Sequence, residues 1–389
     1  MKRRNFLKAS ALASTSLMVP SFLKSYPDDK LLRSRTGKIL VVVQLSGGND
    51  GLNTIIPYTN DIYYQSRPDL AISKEETLPI SDELGFNPAM ESLRVLYDEG
   101  LMTVINSVGY PNPDRSHFRS MDIWHTASSS EEYLTTGWLG RYLDNQCTGC
   151  DKPYHAIEVD DSLSLALKGN ERNGFAVSNP KQLKQTAGNK LLKAIADQHD
   201  YHAEENVAYL YKTMIETQSS ADYIFEQSKV YQSQEEYPKT AFGKDLKQVA
   251  ELITADTDTK IYYVSLTGFD THANQRNQQA RLLKQYADGM KAFVNDLKKN
   301  NLLDDTLIMT FSEFGRRVKQ NASNGTDHGT ANNLFLIGGK LSQPGFFNKS
   351  PNLLNLDNGD LIYEVDFRNV YATLLERWLD TKPESVLGT

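Results

Sequence analysis

Six residues stand out because their side chains bind metals and because each sits beside an apolar run. They are Asp50, Asp270, His272, Glu313, Asp327 and His328. Asp50 lies in Gly47-Gly48-Asn49-Asp50-Gly51, directly after the run Lys38 to Leu45. Asp270 and His272 lie in Thr267-Gly268-Phe269-Asp270-Thr271-His272, after Ile261 to Leu266. Glu313 follows Thr306 to Phe311, within Ser312-Glu313-Phe314-Gly315-Arg316. Asp327-His328-Gly329 comes just before Asn333 to Ile337. Carboxylate and imidazole together suit zinc, manganese or iron, and carboxylate-rich sets also take magnesium or calcium. A divalent ion so held polarises a phosphoryl or sulfuryl oxygen and acidifies a bound water or hydroxyl. Each residue also has a plain structural use. Asp50 and Asp270 can cap or turn the chain, Asp327 can cap a loop, and Arg316 or Arg317 can pair with Glu313.

The elements that must position these residues are legible. KILVVVQL carries no polar alternation, as expected of a strand buried on both faces of a parallel sheet. Leu101 to Asn106, Ile261 to Leu266, Thr306 to Phe311 and Asn333 to Ile337 read as further strands. Asn87 to Asp98, Arg119 to Thr126, Arg281 to Leu297 and Val370 to Leu379 have helical spacing. Ligands bind at the carboxyl ends of the strands in open α/β sheets. The alternation predicts a three-layer α/β/α sandwich with a mostly parallel central sheet. Ser116 and His117 fall at a helix N-terminus, where unpaired N–H groups favour an anion. Asn179 to about Val249 is a polar, helix-rich tract read as an insertion or cap. His199 and His202 within it, like His125 in a predicted helix, suit structural places.

The first 24 residues differ from the rest. Lys2, Arg3, Arg4 and Lys8 precede an Ala-, Ser- and Leu-rich run, the layout of an export signal of the twin-arginine type. Without Lys2, Arg3, Arg4, Lys8 and Lys24 the formal charge falls from −7 to −12, leaving an acidic mature chain. That route exports folded proteins, which suits one that takes up its metal beforehand. No basic block with interleaved aromatics is present, so a nucleic-acid partner is not expected. In an exported chain Cys147 and Cys150 are read as a local disulfide, since two thiolates are too few for a structural zinc.

The motifs together resemble the twin-arginine-exported family called domain of unknown function 1501, assigned to the alkaline phosphatase-like superfamily. They are RRNFLK, LVVVQLSGGNDGLNT, RSHF at Arg115 to Phe118, GFDTHANQ, SEFGR, DHGTANNLFLIGG and VDFRNVYATLLERWL. The resemblance implies an alkaline phosphatase-like domain over residues 36–389, interrupted by the insertion at about 179–249. It also implies a metal-dependent hydrolase acting on phosphate or sulfate esters. Residue by residue, Asp50 matches the first metal ligand, Ser116 the nucleophile, Asp270 and His272 the middle pair and His328 the final ligand. Glu313 stands at the first position of an Asp-His pair, with Asp327 or His117 available to compensate. Asn53 and Arg115 are candidates for the substrate oxyanion, and His117 for catalysis beside Ser116. Position 314 is Phe where that pattern has His, and the spacing from Asp270 to His272 is shorter than usual. One ion or two are therefore open, and so is a non-catalytic cell-envelope protein with a protein partner. The export machinery is the other partner expected.

Overall fold

The computed structural model describes residues 37–146, 152–189 and 217–388. The export segment, Cys147, Cys150, His199 and His202 lie outside the described residues. Nine strands form one sheet: β1 (Ile39–Ser46), β2 (Met102–Gly109), β3 (Ala156–Glu158), β4 (Phe175–Ala176), β5 (Ile261–Thr267), β6 (Thr306–Phe311), β7 (Asn332–Ile337), β8 (Gly345–Phe346) and β9 (Val365–Asp366). The order is β8-β2-β7-β6-β1-β5-β3-β4, with β9 also paired to β2. Among the described strands of this sheet only β7 runs against its neighbours, β2 and β6.

The helices that cover this sheet are α1 (Glu91–Asp98), α2 (His117–Thr126), α3 (Trp138–Gln146), α4 (Ala241–Thr254), α5 (Gln275–Lys299) and α6 (Phe367–Thr373). Successive side chains of a strand point to opposite faces. Accordingly Ile39, Val41, Val43 and Leu45 of β1 join one core with Leu93, Leu246 and Tyr286, from α1, α4 and α5. Leu40 and Val42 join the other with Trp124, Trp138 and Tyr371, from α2, α3 and α6. In this second core Trp124 stacks between Phe311 and Phe367, with ring centroids 4.8 and 4.2 Å away. The unbroken apolar run of β1 is thus explained by two cores, one per face, and the architecture is the expected α/β/α sandwich.

One helix overlaps the end of the tract read as a helix-rich insertion or cap. It is α4, whose Phe242, Leu246, Val249, Ala250, Leu252 and Ile253 are buried. Its apolar residues recur at helical spacing, and it packs beside α5 as part of the sandwich.

The sheet also sets where loops meet. In parallel register Ser46 pairs with Thr267 and Gln44 with Phe311, so β1, β5 and β6 end at one edge. Because β7 is antiparallel, the residues before it arrive at that same edge. Two glycines let the loops close there. Gly47 has φ 113°, and a Cβ on it would lie 2.5 Å from the backbone nitrogen of Asp270. Gly48 has φ 72°, and a Cβ would lie 2.2 Å from the Phe314 ring.

Candidate metal centre

Three imidazoles and one carboxylate converge at this edge. His117, Asp270 and His328 each offer one ligand atom, all within 4.8 Å of one another. His272 adjoins them, with its Nε2 3.0 Å from Asp270 Oδ1 and 2.9 Å from His328 Nε2. His117 Nε2 lies 3.5 Å from Asp270 Oδ2.

What turns each ring is the partner of its Nδ1. His117 Nδ1 faces Glu313 Oε1 at 3.0 Å, His328 Nδ1 faces the Arg115 carbonyl at 2.7 Å, and His272 Nδ1 faces Asp327 Oδ1 at 3.3 Å. All three partners accept hydrogen bonds, so a neutral ring carries its proton on Nδ1 and presents a lone pair at Nε2. Metal-binding histidines are oriented in this way. His117 Nε2 is buried and has no hydrogen-bond partner among the described residues. Two such nitrogens 2.9 Å apart, as in His272 and His328, repel unless a proton or a cation lies between them. The donor set therefore fits a divalent ion. Phe314 backs the cluster, buried, with its ring 4.8 Å from that of His117 and 4.7 Å from that of His328.

Charge around the cluster is arranged to keep Asp270 ionised. Partial burial pushes its carboxyl up, but the Arg316 guanidinium and His328 outweigh this and hold it down at about 2. Arg316 is buried and donates to Asp270 Oδ1 at 2.7 Å and to the carbonyls of Gly47, Gly48, Phe269 and Thr326. The hydrogen bond and charge of Glu313 raise the pKa of His117 against the effect of burial. Burial lowers that of His328.

The structure brings Asp270, His272, His328, Glu313, Asp327 and His117 together. Glu313 and Asp327 face Nδ1 atoms, so they orient imidazoles. His117, a catalytic candidate by sequence, directs Nε2 into the cluster as a ligand would. Arg316 pairs with Asp270 and leaves Glu313 to His117 and to the Gly47 N–H, which donates at 2.8 Å. Ser116 is exposed at the N-cap of α2, and its side chain makes no capping hydrogen bond.

Two expectations are corrected. Asp50 is not at the cluster: both its oxygens pair with Arg67, Nη1 at 2.6 Å and Nη2 at 3.0 Å, with both side chains 0% exposed. Arg67 spends its other N–H groups on Asn53 Oδ1 and on the carbonyls of Val318 and Arg317. The partners of Asp50 are thus the Arg67 guanidinium and the Gln275 amide, which donates to its Oδ2 at 2.5 Å. Asn53, a substrate candidate by sequence, is buried and occupied. Its Oδ1 accepts from Tyr63 and Arg67, and its Nδ2 donates to the Leu70 carbonyl. Arg67 carried no sequence signal, since it follows a short polar helix, Asp61–Ser66, and only the fold turns it inward.

The protein is thus a mostly parallel α/β/α sandwich with an imidazole-rich cluster at the carboxyl edge of its sheet. A family profile described as "Protein of unknown function (DUF1501)" matches residues 102–376, more than half of the chain. The chain belongs to that family. No curated protein matches it. Among solved structures it is similar to the zinc complex of the C-terminal periplasmic domain of EcEptC from Escherichia coli, at 12% identity and TM-score 0.39, over 78% of this chain and 73% of that one. It is also similar to the lipoteichoic acid synthase LtaP from Listeria monocytogenes, at 12% and 0.36, over 85% and 74%. A protein in the alkaline phosphatase superfamily from Vibrio parahaemolyticus matches at 11% and 0.39, over 97% and 75%.

Proposed function

We propose that the protein is an exported, metal-dependent hydrolase of phosphate or sulfate esters, with one divalent cation and Ser116 as nucleophile. The observation that carries the reading is the common orientation of three histidines, each tied at Nδ1 to an acceptor and each presenting Nε2 toward Asp270. His117, Asp270 and His328 hold the ion, with His272 beside them. An imidazole-rich set suits zinc better than magnesium or calcium. The bound cation supplies polarisation of a phosphoryl or sulfuryl oxygen. Ser116 supplies the attacking oxygen and gives up its proton as the O–P or O–S bond forms, and the displaced alcohol leaves with a proton. Water then attacks phosphorus or sulfur, releasing the phosphate or sulfate and returning a proton to the serine oxygen. The N-terminal N–H groups of α2 favour the anionic group so handled.

A panel of aryl phosphates, phosphodiesters and aryl sulfates tests the reading on protein purified without chelators. Hydrolysis by the wild type, lost in Ser116→Ala, supports it. Equal rates in the variant remove Ser116 from its role, and protein without bound metal sinks the reading as stated. One observation favours a second reading. Arg67 and Arg316 already supply buried cations to Asp50 and Asp270. A metal-loaded protein that hydrolyses nothing on the panel supports a binding or assembly protein of the cell envelope.

Export rests on Arg3, Arg4 and the run that follows them. No helix among the described residues is long and apolar enough to cross a membrane. Replacing Arg3 and Arg4 together by Lys should retain the protein in the cytoplasm on fractionation, and unchanged export of that variant removes the twin-arginine route.

A further inference from the structure

Asp360 is a buried carboxylate facing two arginines, Arg115 and Arg317, whose backbones adjoin the histidine cluster. It lies in a two-stranded hairpin, Leu356–Asp357 with Asp360–Leu361, and its side chain is 0% exposed. Arg115 Nη2 donates to its Oδ2. Arg317 Nε stands 3.7 Å from its Oδ1, an oxygen with no hydrogen bond of its own. Burying a carboxylate is unfavourable unless its charge is paired, and here two guanidiniums answer one carboxylate. Within this trio two positive charges meet one negative, and Asp327 and Asp357 lie within electrostatic reach of it.

Both arginine side chains remain partly exposed to solvent. The Arg115 side chain is 41% exposed and that of Arg317 is 38% exposed. A guanidinium has five N–H donors in a planar fork, so both keep donors to spare. Both residues are also covalent neighbours of the site. Arg115 precedes Ser116, and its carbonyl is the group that turns His328. Arg317 follows Arg316, whose guanidinium lies on Asp270.

We infer that Arg115 and Arg317, aligned by the buried Asp360, form an oxyanion subsite beside the histidine cluster that takes the phosphate or sulfate group of the ester. This deepens the hydrolase reading and rests on it for the choice of anion. Arg115 and Arg317 touch the anion. Asp360 is a positioning residue and acts through them.

The position of Asp360 provides a test whose sign separates alignment from bulk charge. Asp360→Asn makes the site more positive, so long-range attraction alone predicts tighter anion binding in the variant. Alignment predicts weaker binding. The measurement is calorimetric titration of inorganic phosphate and of sulfate into full-length, chelator-treated protein, so that no metal contributes. Wild type should bind one or both, and Asp360→Asn should bind about tenfold more weakly, the loss of roughly one charge-assisted hydrogen bond. Arg317→Lys keeps the charge, loses the fork, sits on a partly exposed side chain that does not threaten folding, and should weaken binding similarly. Wild type that binds neither anion overturns the inference, as does an Arg317→Lys variant that binds as tightly as wild type. Phosphate bound in this way by a protein that hydrolyses no ester would leave the subsite standing and sink the hydrolase reading. Hydrolysis without such binding would do the reverse.

Discussion

Glu313, the Arg115 carbonyl and Asp327 each lie behind one imidazole, so the cluster depends on groups that do not themselves face its centre. Such partners typically contribute about 10–100-fold to metal affinity. Glu313→Gln and Asp327→Asn should each lower zinc affinity by about that factor in a competition titration, with folding intact by circular dichroism. A ligand set indifferent to both changes is not oriented in the way described. The pH dependence of the same titration has a definite sign. A ligand imidazole must be deprotonated, and Glu313 holds the pKa of His117 above its ordinary 6.5. Zinc affinity should therefore begin to fall, on acidification, at a pH above 6.5. Asp270, held at about 2, stays ionised throughout and does not limit binding. In the metal-free protein the His117–Glu313 pairing works in the opposite direction. It stabilises the fold below the ordinary imidazole value and is lost as the pH rises through the raised one.

Among the elements, β3 carries an ionisable group that the cluster does not use. Glu158 is buried at its end, and burial pushes its carboxyl up from 4.5 to about 7, although its Oε2 accepts the Ser164 N–H at 2.6 Å. Between those values the folded chain binds a proton that the unfolded chain does not, so stability declines as the pH rises through that window. The full effect is about 3 kcal/mol, at 1.36 kcal/mol per pKa unit. Glu158→Gln should remove that slope from the urea midpoint and be more stable than wild type at pH 8. An unchanged slope shows that Glu158 does not titrate in the window. Elements also show where sequence reading succeeds. The long apolar runs of β1, β5 and β6 are recognisable because burial on both faces leaves no place for polar residues. The helix-rich tract read as an insertion or cap at about 179–249 overlaps the start of α4, whose apolar residues recur at helical spacing and are buried.

At the scale of the molecule, the buried charges hold loops together across long stretches of chain. Arg67 links the loop after β1 to the carbonyls of Arg317 and Val318. Arg67→Met leaves Asp50 buried without its cation and should destabilise the fold by about 3–5 kcal/mol in urea unfolding. A change below about 1 kcal/mol, the worth of an exposed pair, would contradict the burial. A cation that binds only the folded chain stabilises it by mass action. Zinc at a hundredfold excess over its dissociation constant should add about 2.7 kcal/mol. If the cluster of His117, Asp270 and His328 is the place of the ion, metal analysis should find one equivalent per chain, since Asp50 is already paired with Arg67. Two equivalents would overturn that assignment.

Residue type and order were enough for the sandwich and for the loops that meet at its carboxyl edge. Buried strands announce themselves by unbroken apolar runs, and a parallel sheet brings the residues that follow them to one edge. The sequence thereby marked Asp270, His272, Glu313, Asp327 and His328, and placed Ser116 and His117 at the start of a helix. Only the tertiary structure decided the direction of β7, which delivers His328 to the edge from the front of its strand. It also decided that Asp50 meets Arg67, that Arg316 meets Asp270, and that His117 turns Nε2 inward. A carboxylate takes a metal or a guanidinium with equal chemical ease. Which one it meets depends on what the folded chain brings within about 3 Å, a distance that residue type and spacing along the sequence do not specify.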